Sequence, residues 1–406
     1  MQGERFTAPT PPGTRLLHIG PHKTGTTALQ AAFHQARDTL REHGVVYAGP
    51  GRQAKDPAVA IARKDPTAAE REPWEAFCRE AAEAGDLRFF ASSEFFATAS
   101  ADAARTAVKE LAGAGGVSGE GGGGGVHVVV TLRPLRKIMP SHWQQYVKHG
   151  LCESYETWLD AMLRKPPYEE PTPDFWHLQR HDELIERWAA AAGPENVTAV
   201  VVDEARPLWQ FRVFEQLLDL PEEVLQPQES GGNSSLTQSE AELLLQLNRK
   251  LRERNWSTWR QGKVIREGVV PHLQSYEPAP NEPRITTPEW AETAVAEVAE
   301  QVAAGIAASG VRVVGDLEAL SRRPATPVEP VTPTEIPTEA ATEAVLGGIL
   351  ASAALAAKAS PPAPAPAPEP EVPAARGALE DRPVRNVPVK DLVRVVARRA
   401  VRRMRG

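Results

Sequence analysis

Gly20-Pro21-His22-Lys23-Thr24-Gly25-Thr26-Thr27 packs two glycines, a lysine and three threonines into eight positions. Such a run brings backbone N–H groups, hydroxyls and an ammonium to one point, which suits a multiply charged anion. Far along the chain, Arg133 precedes Ser141 by eight positions. A guanidinium and a hydroxyl that converge can hold one phosphate through charged, directional hydrogen bonds. Between the two lies Glu94, in Ser92-Ser93-Glu94-Phe95-Phe96, the first candidate for proton chemistry. Its position leaves two other roles open, a helix cap and a Walker-B-like acid.

These residues need elements that aim them. Arg15 to Ile19 has the short apolar character of a buried strand, and Leu29, Ala32, Phe33, Ala36 and Leu40 then recur at helical spacing. The anion loop therefore joins a strand to a helix N-terminus. Further strands are expected at Val45–Tyr47, Leu87–Ala91, Val126–Leu132 and Val197–Val202, with Val311 to Leu320 as a last edge element. Helical patterns fall between them, and Thr237 to Glu240 is a capping box ahead of Leu244, Leu247 and Leu251. The expected class is α/β, a mostly parallel sheet with helices on both faces, where strand ends carry the site. Arg133 and Glu94 both follow such ends, and Pro140 is expected to open the helix that carries Ser141. Trp143 reads as packing and His142 as a surface residue. Asp174 to Ala192 reads as one long helix.

Against the Walker A pattern Gly20 and Gly25 align, but Thr26 stands at the lysine position and the lysine has moved to Lys23. That departure weakens a nucleoside-triphosphatase reading. The run Pro21-His22-Lys23-Thr24-Gly25-Thr26-Thr27 resembles the 5′-phosphosulfate loop of sulfotransferases that use 3′-phosphoadenosine 5′-phosphosulfate (PAPS). Arg133 to Ser141, after a buried strand, resembles the element with which that family holds the 3′-phosphate. The resemblance covers roughly Arg15 to Ser321 and implies a P-loop-like fold. It also implies Lys23 and Glu94 in catalysis, with Lys23, Thr24, Gly25, Thr26, Thr27, Arg133 and Ser141 on the donor and no metal. The family's basic, glycine-containing loop would fall at Gly231 to Ser235, which holds no Lys or Arg. Arg249 and Arg260 are the substitutes the sequence offers.

Two other readings stay open. Four apolar residues run into Asp203-Glu204, which keeps a kinase or ATPase using Mg-ATP in play. A non-catalytic protein acting through its tail is the second. Arg382 to Gly406 holds nine Arg or Lys against one Asp, in a chain whose net charge is −7. An amphipathic helix over 389–406 would suit an anionic membrane surface or an acidic partner. The overall charge argues against bulk nucleic-acid binding, and the acceptor class, small molecule, lipid or glycan, is not legible.

The domain boundaries expected are a disordered lead-in over 1–14, one domain over 15–322, a Pro/Ala-rich linker over 323–388 and the basic helix. Fourteen of the 37 prolines fall between Pro324 and Pro388, so that stretch reads as extended. Ala344 to Ala357 is its longest apolar run, expected as a weak helix and, with Gly347, Gly348 and Ser352 in it, as too short to cross a bilayer. Cys78 and Cys152 stand far apart. That spacing, and a polar start without an apolar core, lead to the expectation of a cytoplasmic protein, peripheral at the membrane through 389–406.

Overall fold

A computed structural model describes residues 6–114, 125–203, 205–228, 235–323, 331, 333 and 335–359. Six strands, β1 (Arg15–His18), β2 (Val45–Tyr47), β3 (Arg88–Ser92), β4 (Val126–Leu132), β5 (Val197–Val201) and β6 (Arg312–Val314), form one sheet. Their order is β2-β3-β1-β4-β5-β6 and every pairing is parallel. The α/β class expected from the sequence is the one observed.

Alternation within the strands splits the interior into two layers. Leu17, Ala91 and Val128 are in register and face one apolar layer, while Leu16 and Phe90 face the other. Both faces are covered, which is why the strands read as continuous apolar runs. The helices that follow the first strands are α1 (Thr26–Gln35), α2 (Arg37–Glu42), α3 (Lys55–Ala62), α4 (Ala68–Glu83) and α5 (Ala101–Ala114). After β4 come α6 (Leu135–Lys148), α7 (Tyr155–Arg164), α8 (Phe175–Gln179) and α9 (His181–Ala192), and after β5 α10 (Trp209–Leu217). Trp74, Phe77, Leu111 and Trp188 bury one face of the sheet; Phe33, Phe211 and Phe214 bury the other.

A third core is helical. It draws on α6, α7, α8, α11 (Gln238–Glu253), α13 (Val270–Ser275), α14 (Glu289–Ala308) and the turn at 265–269 that follows α12 (Thr258–Val264), and it holds Trp143, Trp158, Phe175, Leu244 and Ile265. The capping box of α11 forms as read: the Glu240 N–H donates to Thr237 Oγ1 at 3.2 Å, and the Thr237 N–H to Glu240 Oε2 at 2.7 Å. The chain runs from β1 out to β2 on one side and later crosses from β3 to β4 on the other, so the strand order reverses at β1 and the sheet opens a crevice at its C-terminal end.

Several expectations need correcting. Residues 6–14 are not a disordered lead-in: the Thr10 N–H donates to Leu217 O at 2.9 Å, Arg88 Nε donates to Thr10 O at 2.9 Å, and Phe6 packs on Trp209. Backbone hydrogen bonds tie this segment down where apolar periodicity had nothing to show. The Asp174–Ala192 helix is two, because Arg180 leaves helical geometry and its guanidinium binds Asp182. Helix α6 starts at Leu135, so Pro140 lies inside it and Ser141 in its second turn.

Within 323–388 the chain forms α15 (Thr338–Ala359), 22 residues long and docked through Ala340 and Ala344 on the helical core. By length and composition Thr338–Lys358 is apolar enough to cross a membrane, with a mean hydropathy of 1.6 over its best window. The glycines that counted against it sit on its docked side, where they let backbones touch. The amphipathic reading of 389–406, the glycine-rich run 115–124, Glu204 and the basic-loop position 231–234 lie outside the described residues.

Candidate functional site

The turn from β1 into α1 has two glycines because nothing larger fits. Gly20 sits at φ +82°, and a Cβ there would lie 2.9 Å from Glu94 Cα. Gly25, the N-cap of α1, sits at φ +88° under the Gln210 amide, whose Oε1 would be 3.0 Å from a Cβ. Lys23 adopts φ +69°, left-handed geometry that a lysine enters only when its surroundings hold it there. The first N–H groups of α1 have no intrahelical partner.

A buried polar chain fixes this turn to the sheet. Gln30 Nε2 donates to Ser92 Oγ at 3.2 Å, Ser92 lies 2.8 Å from His18 Nδ1, and His18 Nε2 lies 3.1 Å from Thr131 Oγ1. Thr131 in turn meets Thr24 Oγ1 at 2.8 Å, and Thr24 donates to Pro21 O at 2.6 Å. Burial pushes the His18 pKa down to about 3, so the ring is neutral, donating from one nitrogen and accepting at the other. Each member is satisfied when donation runs from Gln30 to Pro21. Thr24 is therefore committed to the protein: its side chain is fully buried and can offer a ligand only its backbone.

The other expected residues meet. Lys23, Gly25, Thr26, Thr27, Glu94, Arg133 and Ser141 all border one cavity of about 1030 Å³ at the end of β1. Arg133 Nη1 donates to Lys23 O at 3.4 Å, which fixes the arginine against the loop. Glu94 opens the turn after β3; Gln30 Nε2 donates to its Oε2 at 3.0 Å, and His22 Nδ1 lies 3.9 Å from its Oε1. Lys23 Nζ donates to Gln145 Oε1 at 3.3 Å. Burial lowers the Lys23 pKa; Glu94 raises it again and Arg133 lowers it further. Burial likewise lowers His22, against the pull of Glu94.

Sequence reasoning missed much of the wall. Arg249 donates to Cys152 O and Arg260 stacks on Trp256, and neither borders the cavity. The additional cations are Lys55, Lys148 and Arg266, so among the described residues five Lys or Arg side chains border the cavity with one carboxylate, Glu94. Burial pushes the Lys148 pKa down to about 8, helped by Lys23 and opposed by Glu240. Ser141, Gln145 and Lys148 stand at i, i+4 and i+7 on α6, a polar stripe that helical phase alone could have revealed.

His142 is buried rather than on the surface, packed on Tyr146 and Phe175, with its pKa pushed down to about 3 chiefly by burial. Its Nδ1 and the Tyr146 hydroxyl are buried at the cavity wall with no hydrogen-bond partner among the described residues. Asp203 borders a different hollow with Arg136 and Arg322, and it accepts hydrogen bonds from Arg206 and the Ala205 N–H.

No family model and no curated protein matches the chain. Among solved structures, a sulfotransferase from Alicyclobacillus acidocaldarius is similar over 61% of this chain and 98% of its own, with 14% identity and a TM-score of 0.35. A likeness of that size carries no argument about activity.

Proposed function

We propose that the cavity binds PAPS and passes its sulfuryl group to an acceptor hydroxyl or amine. The observation that carries this reading is convergence. A phosphate loop bearing Lys23, and an Arg133–Ser141 pair from 110 residues further on, border one cavity together with Glu94. The α1 N-terminus, Thr26 and Thr27 would hold the 5′-phosphate. Arg133 and Ser141 would hold the 3′-phosphate, with Lys148 and Arg266 adding the positive charge that 231–234 does not carry. The cation excess suits a donor with several anionic groups.

In the transfer, the acceptor oxygen or nitrogen attacks sulfur opposite the bridging oxygen. The new bond to sulfur forms as the sulfur–bridge bond breaks, and its electron pair leaves on the phosphate as 3′-phosphoadenosine 5′-phosphate. Glu94 takes the acceptor proton as general base, oriented by Gln30. Lys23 meets the charge developing on the bridging oxygen. His142 Nδ1 and the Tyr146 hydroxyl, buried with no partner among the described residues, would orient the acceptor. The competing Mg-ATP reading leaned on Asp203, which borders another hollow and is occupied by Arg206.

The test is release of the bisphosphate from PAPS in the presence of a panel of hydroxyl and amine acceptors. Glu94→Gln is expected to abolish turnover and to keep bisphosphate affinity. Turnover unchanged in Glu94→Gln would remove the assigned base, and Mg-ATP consumption in place of PAPS would replace the reading.

A further inference from the structure

Helix α15 has its large residues on the wrong side for water. Toward the body it presents Ala340, Ala344, Gly347 and Ala351, at i, i+4, i+7 and i+11. Outward it presents Val345, Leu346, Ile349 and Leu350, which are 60, 42, 60 and 52% exposed. A helix docked in water buries its large apolar side chains and shows polar ones. The docking itself is backbone against backbone. A Cβ on Gly268 would lie 2.5 Å from Ala351 Cβ, and one on Gly347 would lie 2.6 Å from Gly268 O. Close crossings of small residues are how helices associate in lipid.

Beside the crossing runs an apolar groove of about 630 Å³, lined by Leu243, Leu247, Val264, Ile265, Val345 and Ile349 among others. We propose that the outer face of α15 and this groove seat the protein on an anionic lipid bilayer. The helix lies along the boundary between headgroups and acyl chains.

Three observations select lipid as the occupant. The mean hydropathy of 1.6 and the 17% burial of its window give α15 the composition of a bilayer-facing helix. Beyond it in sequence, 382–406 holds nine Arg or Lys against one Asp, complementary to anionic headgroups. The groove also shares a wall with the cavity. In the run from Val264 to Gln274, Val264, Ile265 and Val269 line the groove while Arg266, Val270, Pro271 and Gln274 border the cavity. Docking therefore brings the cavity to the lipid surface. The helix lies flat rather than spanning, because Ala340 and Ala344 hold it to the body and His272 Nδ1 meets Glu343 Oε2 at 3.0 Å.

The experiment is co-sedimentation of the full chain with vesicles of phosphatidylcholine, alone or with about one third phosphatidylserine. Wild type is expected to pellet with the anionic vesicles. Combined Val345→Ser, Leu346→Gln, Ile349→Gln and Leu350→Gln is expected to weaken partitioning at least about tenfold, since the buried apolar face sets it. Bisphosphate affinity and circular dichroism should be unchanged, which shows that the variant folds. A chain ending at Lys358 should keep the apolar contribution and lose the preference for anionic vesicles. Three results would overturn the proposal. Wild type could stay in the supernatant with both vesicles, or the fourfold variant could pellet as wild type does. Light scattering could also show a wild-type dimer that the variant dissolves without any vesicle binding, which would assign the face to a second copy of this chain. The proposal holds whether or not the cavity transfers sulfuryl groups.

Discussion

Two hollows lie on either side of the helical run from Val264 to Gln274, and they are built by opposite means. The cavity at β1 is lined by five Lys or Arg side chains and held by a satisfied hydrogen-bond chain, Gln30–Ser92–His18–Thr131–Thr24. The groove under α15 is lined almost wholly by apolar atoms and held by glycine contacts. Polar networks impose one geometry at the cost of demanding every partner. Small-residue contact imposes closeness and little else. The difference suits the first region to chemistry and the second to attachment.

The comparison breaks if the regions respond together. Lys23→Ala should give the largest effect, a loss of about 10³ in kcat/KM with vesicle binding unchanged, because it removes charge only where the leaving oxygen develops. Steady-state kinetics beside co-sedimentation would check it. Gly347→Val should cost about 1–3 kcal/mol of stability in denaturant unfolding, since its side chain meets the Gly268 carbonyl. Bisphosphate affinity should stay within about twofold if the contact serves α15 alone. A large loss of affinity would merge the two regions through their shared wall.

Lys148→Met should weaken bisphosphate binding about tenfold, as expected for one partly buried charged contact. The wild-type affinity should also fall as pH rises through about 8, where Lys148 gives up its proton. Calorimetric titrations at pH 7 and 9 should show that the variant lacks this fall. A separate pH effect falls on global stability. His18, His142, His127 and His181 are held neutral by burial, with pKa values pushed down to about 3, 3, 4 and 4. Above the unfolded pKa of 6.5 neither state binds these protons. As pH falls below it the unfolded chain binds them first, so stability drops until the native pKa values are reached. The unfolding free energy from denaturant titration should fall between pH 7 and 5, each buried histidine contributing up to about 1 kcal/mol per pH unit.

What the sequence made legible was local. The strand, turn and helix around Lys23 are contiguous, so their periodicity shows them, and the sheet class follows from apolar strands alternating with helical patterns. Glu94, Arg133 and Ser141 were found by their place after strands and by resemblance. Lys55 and Arg266 were not, because separate segments carry them to the cavity and neither stands in a motif. Lys148 and Gln145 had a signal, the helical phase with Ser141, that a search for motifs passes over. The expectation for His142 failed because its burial depends on Phe175, 33 positions away. Thr24 reads as a ligand hydroxyl in the sequence, but Thr131, 107 positions away, claims it. In α15, glycine and serine read as interruptions, which is right for a helix alone in water and wrong for one docked by backbone contact.

The most direct test of the donor site is calorimetric binding of 3′-phosphoadenosine 5′-phosphate, with Mg-ATP as comparator, to wild type and to Arg133→Ala. The bisphosphate is expected to bind wild type in preference to Mg-ATP and to lose about a hundredfold in affinity without Arg133, the cost of removing a charged phosphate contact. Preference for Mg-ATP, or bisphosphate binding indifferent to Arg133, would contradict it.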